Sequence, residues 1–107
     1  MYVVRDRIVA TWEPETWPQG FVTGYDDGSG GFALEHVVVF RYAPEMAMLG
    51  MLRDALTEAW GQGFQYVTWH VPHSFPLALA LAEVGRRLGF TKVREDERCA
   101  YFRMERP

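Results

Sequence analysis

Hydrophobic and polar positions follow two different periods along this chain. Up to residue 40, apolar and β-branched residues come in short runs separated by turn residues, a pattern typical of strands. The strongest turn signal, Asp26-Asp27-Gly28-Ser29-Gly30-Gly31, precedes a segment ending in the run Val37-Val38-Val39-Phe40, which is expected of a strand covered on both faces. This part of the chain predicts strands at 2–5, 7–12, 21–25 and 32–40.

The spacing of apolar residues becomes helical beyond residue 44. A stripe of apolar side chains predicts a helix from about Glu45 to Trp60, which ends at Gly61-Gln62-Gly63. A second stripe, closed by Gly89, predicts a helix that begins at about residue 75, with Ser74 as its N-cap and Pro76 in its first turn. Strands are predicted at 64–71, 91–94 and 100–104. Because a crossover helix returns the chain to the same edge of a sheet, the strand–helix–strand order predicts at least one parallel pair.

These elements predict one α+β domain over residues 1–107. We expect a mixed, mostly antiparallel sheet with a central parallel strand pair and two crossover helices packed on it. The chain has 107 residues, of which 49% are hydrophobic and 15% aromatic, and this suits a single core. The lone Cys99 cannot form an internal disulfide, which favours a reducing compartment. No stretch approaches the ~20 apolar residues of a membrane span, so a cytoplasmic location is expected.

Charge and histidine spacing argue against two classes of partner. The net charge is −3, with four basic and ten acidic residues in residues 1–85 and seven basic and four acidic residues in residues 86–107. A net acidic body weakens the attraction to phosphate, so no nucleic-acid partner is expected. His36, His70 and His73 have no cysteine or acidic ligand at regular spacing nearby, so no metal site is expected either.

Several short segments resemble the GCN5-related N-acetyltransferase (GNAT) fold. They are Val38-Val39-Phe40-Arg41 at a strand end, Ala59-x-x-x-Gly63 at a helix end, Val67-Thr68-Trp69-His70-Val71 in the next strand, Leu88-Gly89-Phe90, and the last strand at Cys99–Arg103. The resemblance covers roughly residues 2–105 and lacks the family's usual N-terminal strand and helices. It implies acetyl-CoA as the cofactor and an amine as the acyl acceptor.

The resemblance also implies where the cofactor would bind. The family's Gln/Arg-x-x-Gly-x-Gly/Ala loop holds the pyrophosphate at a helix N-terminus, and here it falls on residues 43–48, with Met46 and Met48 at the glycine positions. These methionines, with Met51, would either receive a partner or fill the groove that CoA occupies in active relatives. The implied cofactor-binding residues are Val38, Val39, Arg41, Met46, Ala47, Met48, Leu49 and Gly50.

The candidate catalytic residues are Glu35, which the resemblance implies, and His70, whose place at a strand end suggests a pocket residue, although a surface or hydrogen-bonded loop histidine is the alternative. Many family members use a carboxylate on the central strand as the general base, and Glu35 is the local carboxylate. Strand alternation predicts that the neighbouring His36 points to the opposite face. His70 is expected to line a pocket at the carboxyl end of the next strand. The family's proton-donating tyrosine, four residues before the glycine of Gly89-Phe90, corresponds to Gly85.

Two functions from different classes follow from this resemblance. The first is an acyl-CoA-dependent N-acyltransferase. The second is a catalytically inactive structural or binding protein, similar to the small, degenerate GNAT-like proteins of tailed-phage virions. The expected partner is an amine or another protein, a homo-oligomer or larger assembly is possible, and the location is the cytoplasm or, for a phage-encoded protein, the virion.

Overall fold

In the computed structural model, the backbone is described for residues 2–4, 7–12, 20–39, 45–76 and 78–107, and the side chains for 21–38, 48–76 and 78–107. Most elements lie within two residues of the predicted bounds, and the second helix begins about three residues later than predicted. They are β1 (Tyr2–Val4), β2 (Arg7–Trp12), β3 (Gly20–Asp26), β4 (Gly31–Val39), α1 (Glu45–Gly61), β5 (Tyr66–Pro72), α2 (Ala78–Leu88), β6 (Thr91–Glu95) and β7 (Cys99–Glu105).

The strands form one sheet in the order β1-β2-β3-β4-β5-β7-β6. Strands β4 and β5 are parallel, and every other neighbouring pair is antiparallel. The order reflects the chain's crossovers, because α1 connects the two parallel strands and α2 carries the chain past β7 to the edge at β6. This confirms the predicted α+β class and the predicted parallel pair.

Both helices pack on the same face of the sheet. Alternate residues of β5 are buried, namely Val67, Trp69 and Val71, and they share one hydrophobic cluster with Leu52 of α1 and Val84 of α2. The opposite face, which we call the open face, carries the side chains of residues such as Thr68, His70, Tyr101 and Arg103. No helix of the described chain covers it.

The uncovered face corrects one expectation about β4. The run at residues 37–40 predicts a strand covered on both faces, but Val37 is buried while Val38 is only half-buried. The reason is that both helices lie on the Val37 side. The side chains of Val39 and Phe40 lie outside the described residues.

Glycines end both helices where the sequence predicts their ends. Gly63 has a φ of 91° and Gly89 a φ of 114°, the left-handed region in which glycine has no Cβ penalty. After α2, the amide of Phe90 donates to the carbonyl of Gly85 at 3.0 Å, which closes the last turn. This cap brings the Phe90 ring to 5.7 Å from the Trp69 ring, between their centroids.

The amino-terminal end of the parallel pair is held by a side-chain clamp. Tyr66 of β5 donates a hydrogen bond from its hydroxyl to Oδ2 of Asp27 at 2.7 Å, and Oδ1 of Asp27 accepts from the amides of Ser29 and Gly31. Gly31 lies directly beside Tyr66 in the ladder, and a Cβ there would lie 2.0 Å from the tyrosine ring. The glycine is therefore required by the close approach of this ring. The guanidinium of Arg103 lies over the same ring, 3.9 Å from its centroid.

The helices also bear on the question of a membrane. Neither helix in the described part of the chain combines the length and the apolar character that crossing a bilayer would demand.

Candidate active site

The two parallel strands pair along only part of their lengths. Residues Gly31 to Leu34 of β4 pair with Tyr66 to Trp69 of β5. Beyond that point β4 stays paired with β3 as far as Val39, and β5 stays paired with β7 as far as Pro72. The strands therefore diverge, and a cleft opens between their carboxyl ends.

A β-bulge in β4 marks the point of divergence. Leu34 pairs with Gly24 and His36 pairs with Thr23, so Glu35 is the extra residue that the bulge inserts into β4. A bulge bends its strand and increases the local twist, which directs β4 away from β5. The prediction that Glu35 and His36 face opposite sides is wrong, because the bulge breaks the alternation. Both side chains are exposed and line the cleft.

The cleft has a volume of about 160 Å³. Its wall combines three ionisable side chains, Glu35, His36 and His70, with a larger set of apolar ones that includes Val37, Val38, Trp69, Val71, Phe75 and Leu81. None of the described lining residues is a lysine or arginine. The arrangement can therefore accept a proton from a bound group, while its apolar walls reduce competition from water.

The ring of His70 is positioned by a chain of contacts on the open face. It packs edge-on against Tyr101, with ring centroids 4.5 Å apart. The hydroxyl of Tyr101 donates to Oδ2 of Asp96 at 2.8 Å, and the guanidinium of Arg94 lies 3.8 Å from the centroid of the tyrosine ring. Tyr101 is thus held by a hydrogen bond at its tip and a cation on its ring, and it supports the imidazole in turn.

Asp96 is itself fixed by the turn between β6 and β7. Its Oδ1 accepts hydrogen bonds from the amides of Cys99 at 2.9 Å and Arg98 at 2.8 Å. The hydrogen bonds to Asp96 favour its charged carboxylate and lower its pKa to about 2. The bond from the Cys99 amide has the largest effect, and the bond from the Tyr101 hydroxyl has the next largest. The same bond to Asp96 raises the pKa of the Tyr101 hydroxyl, which therefore remains a proton-bearing donor at neutral pH.

Neither Tyr101 nor Asp96 is identified by sequence reasoning. The charged residues 95–98 are interpreted from the sequence as a hairpin turn. Only the register of β7 against β5, which sets Tyr101 opposite His70, shows that Tyr101 and Asp96 support the cleft. Because α2 and β6 separate β5 from β7 along the chain, no local sequence pattern marks this contact.

Gly85, at the position of the family's tyrosine, faces Trp69 on the helix side of the cleft. Trp69 is 3% exposed. A Cβ at position 85 would lie 2.7 Å from Cζ3 and 3.3 Å from Cε3 of the indole, closer than side chains pack. Helix α2 therefore has no room at this position for a side chain that reaches the cleft.

The residues predicted to bind the cofactor have different positions. Val38 lines the cleft beside Glu35. The predicted loop at 43–48 overlaps α1, because the helix begins at Glu45, six residues after β4 ends. Met48 is 6% exposed and lies in the hydrophobic core with Met51, Leu49 is half-buried against that core, and a Cβ at Gly50 would meet nothing within 4 Å. Arg41, and the side chains of Val39, Met46 and Ala47, lie outside the described residues.

The candidate metal ligands do not converge. Within the described ranges, no group of three or more histidine, cysteine or acidic side chains is close enough together to hold a metal ion. His73, three residues after His70, lies outside the cleft, and its ring bonds to the backbone carbonyl of Asp96 at 2.9 Å.

Comparison with solved structures shows the same architecture in acetyltransferases. The IAA acetyltransferase from Bacillus cereus ATCC 14579 superposes with a TM-score of 0.81 and 11% identity, over 95% of this chain and 79% of that one. The aminoglycoside 6'-N-acetyltransferase from Enterococcus faecium gives a TM-score of 0.78 with 14% identity, over 97% and 77%.

A third similar structure contains coenzyme A. It is the paia N-acetyltransferase from Thermoplasma acidophilum, with a TM-score of 0.76 and 13% identity, over 94% of this chain and 62% of that one. By sequence, the chain matches no family model and no curated protein. At these identities the likeness establishes the fold, and the chain has the fold of the GNAT acetyltransferases.

Proposed function

We propose, from the GNAT fold and the cleft between β4 and β5, that the chain is an acyl-CoA-dependent N-acyltransferase. The observation that carries the proposal is the divergence of the parallel pair beyond Leu34 and Trp69, with Glu35 and His70 both at the opening. A fold hosts many functions, so the argument rests on this site rather than on the architecture alone.

The backbone around the cleft is suited to the extended arm of an acyl-CoA. Where β4 and β5 separate, the backbone groups that face the opening no longer bond to the neighbouring strand, and such groups require partners. The amides of the pantetheine arm would pair there, along Val38 and Val39. The first amides of α1, around Met46 and Ala47, have no partner within the helix and would hold phosphate, with Arg41 as the nearby cation.

Methionine at position 48 does not itself exclude this arrangement. Its side chain is buried in the core cluster with Leu52, on the side of α1 that packs against the sheet. The amides of the first helical turn point along the helix axis rather than toward that core. A glycine at 48 would therefore free no space at the helix end, although it would leave a cavity in the core.

The acyl-CoA supplies an acyl group activated as a thioester, and the residues of this chain manage the amine and its proton. The amine nitrogen forms the new bond to the acyl carbon, the carbon–sulfur bond breaks with its electron pair leaving on sulfur, and the nitrogen loses a proton. We assign the acceptance of that proton to His70, held by Tyr101, or to Glu35, directly or through water. The leaving sulfur takes its proton from solvent.

Calorimetric titration of the protein with acetyl-CoA and with CoA tests the binding step. We expect heats that fit a single site with micromolar affinity. The absence of heat at high ligand concentration, from a protein whose circular dichroism shows that it is folded, would exclude the transferase.

Substitution of the candidate base tests the chemical step with a matched control. We expect His70→Ala to lower the rate of acetyl transfer by about 10²-fold or more, the usual contribution of a general base, while CoA affinity remains within about threefold. His73→Ala is the control, since His73 is also exposed and lies outside the cleft. An equal loss in both variants would show that neither histidine acts as the base.

The alternative is a structural or binding protein without catalysis, for example a component of a phage virion or of another assembly. Two observations favour it, namely the lack of room for a side chain at position 85 and the methionines in place of loop glycines. It predicts no acetyl-CoA binding together with a stable homo-oligomer or complex, which light scattering coupled to size-exclusion chromatography would detect.

A further inference from the structure

Trp69 lines the cleft with most of its ring fixed by neighbours. One edge of the indole, with Cζ3 and Cε3, faces Gly85 on α2. The rings of Phe90 and Phe102 lie 5.7 and 6.2 Å away, between centroids, and both are in the buried core. The six-membered ring therefore has a single position available to it.

The indole nitrogen is different, because it has no hydrogen-bond partner among the residues that the structure describes. Nε1 lies on the opposite edge of the indole from Cζ3, so it is directed away from α2. No bond from it is found within the described part of the chain, and none of the described residues has a side-chain nitrogen or oxygen that is both fully buried and unpaired. Nε1 therefore keeps some accessible surface although Trp69 is only 3% exposed, and the cleft is the described cavity that Trp69 lines.

A buried tryptophan normally gives its N–H to an acceptor. We infer that the indole N–H of Trp69 is the donor that binds the carbonyl oxygen of the acyl group, an inference that rests on the proposed transferase function. The group suits this role because it donates and never accepts, and it does not ionise. Of the groups at the reacting end of an acyl-CoA, the thioester carbonyl is the strong acceptor, whereas the sulfur is a weak one.

The contact would act on the rate as well as on binding. As the amine attacks, the electron pair of the carbonyl bond moves onto oxygen, and a fixed donor stabilises the growing charge. The Trp69 proton stays on the indole throughout, while the pair returns to re-form the carbonyl as the carbon–sulfur bond breaks. The side chain that prevents α2 from contributing a residue at position 85 thus has a function of its own.

The indole N–H signals of the ¹⁵N-labelled protein provide the test. The chain has four tryptophans, and the variants Trp12→Phe, Trp17→Phe and Trp60→Phe identify the Trp69 signal by elimination in the intact protein. We expect acetyl-CoA to shift the Trp69 Nε1–H signal downfield and CoA, which has no acyl carbonyl, to leave it nearly unchanged. The Trp60 signal serves as the internal control, since Trp60 does not line the cleft.

Kinetics provide a second measurement. Trp69→Phe keeps an aromatic ring and removes the N–H, and we expect kcat for acetyl transfer to fall about 10²-fold with a much smaller change in KM. Trp60→Phe should leave both within about twofold. A purely structural role for Trp69 would instead lower the amount of folded protein and leave kcat per folded molecule unchanged.

The outcomes separate this inference from the function on which it rests. If acetyl-CoA moves the backbone amide signals of Val37 and Val38 but leaves the Trp69 indole signal in place, the transferase stands and the inference is wrong. Equal shifts with acetyl-CoA and CoA would also overturn it. If acetyl-CoA moves no signal at all, the proposed function is wrong and the inference falls with it.

Discussion

Replacing Gly85 with alanine places one methyl group against the indole of Trp69, and two opposing effects determine its consequence. Alanine is a better helix former than glycine by about 1 kcal/mol. The new Cβ, however, would lie 2.7 Å from Cζ3, whereas carbon atoms pack at about 3.5–4.0 Å. The indole cannot swing aside, because Phe90 and Phe102 hold it from the other directions. Overpacking of this kind costs about 1–3 kcal/mol.

Gly50→Ala is the matched control for this substitution. Gly50 also lies inside a helix, but a Cβ there would meet nothing within 4 Å. It should therefore show only the gain in helix propensity and stabilise the protein by roughly 0.5–1 kcal/mol. The difference between the two variants isolates the overlap, and we expect Gly85→Ala to be the less stable by about 1–3 kcal/mol.

Urea unfolding measures both variants, with the slope of the transition checked for two-state behaviour. A third variant, Trp69→Phe, removes the benzo ring that overlaps the new methyl, so the cost of Gly85→Ala should fall in that background. The two sites are in contact and should not be additive. If Gly85→Ala stabilises the protein as much as Gly50→Ala does, Trp69 does not fill this space, and α2 could carry a side chain into the cleft.

Two further predictions concern other parts of the sheet. Gly31→Ala would place a Cβ 2.0 Å from the ring of Tyr66, and the hydrogen bond from the tyrosine hydroxyl to Asp27 prevents this ring from moving freely. The variant should therefore be less stable by about 1–3 kcal/mol or more, which urea unfolding measures as a lower midpoint. An unchanged midpoint would contradict this packing. Asp96→Asn tests how the stability depends on acid. Folding lowers the pKa of Asp96 from the usual 3.8 to about 2, so the ionised carboxylate stabilises the folded protein above about pH 4. This contribution is lost as the pH falls toward 2. The variant should be less stable than the parent at pH 6 and converge with it near pH 2, and a constant difference in urea midpoint across this range would refute the assignment.

The order of the elements was predictable because it depends on local patterns. Apolar spacing identified both helices, and Gly63 and Gly89 marked their ends through a backbone conformation that favours glycine. The bulge at Glu35 could not be predicted in this way, since it exists only in the register between β3 and β4. For that reason alternation wrongly separated Glu35 from His36.

The candidate site was predictable in part. The family resemblance identified Glu35 and Val38, the position of His70 at a strand end identified that histidine, and the structure brings all three to one cleft. It could not show how those positions are supported, because support comes from residues distant in sequence. Tyr101, 31 residues after His70, contacts it through the pairing of β5 with β7.

The cleft and its chemistry depend on different residues, and this limits what the fold alone says about activity. The parallel pair is held at one end by Tyr66 and Asp27, and β4 is bent at the other end by the bulge at Glu35. The apolar side chains of β4 and β5 between these two ends are packed in the core and stabilise the fold. A protein that had lost catalysis would still need most of these side chains, and it would therefore keep much of the cleft. Glu35 and His70 are exposed, and no such packing requirement preserves them. Substitutions at these two side chains, which leave the cleft in place, are therefore a more direct test of function than any further comparison of folds.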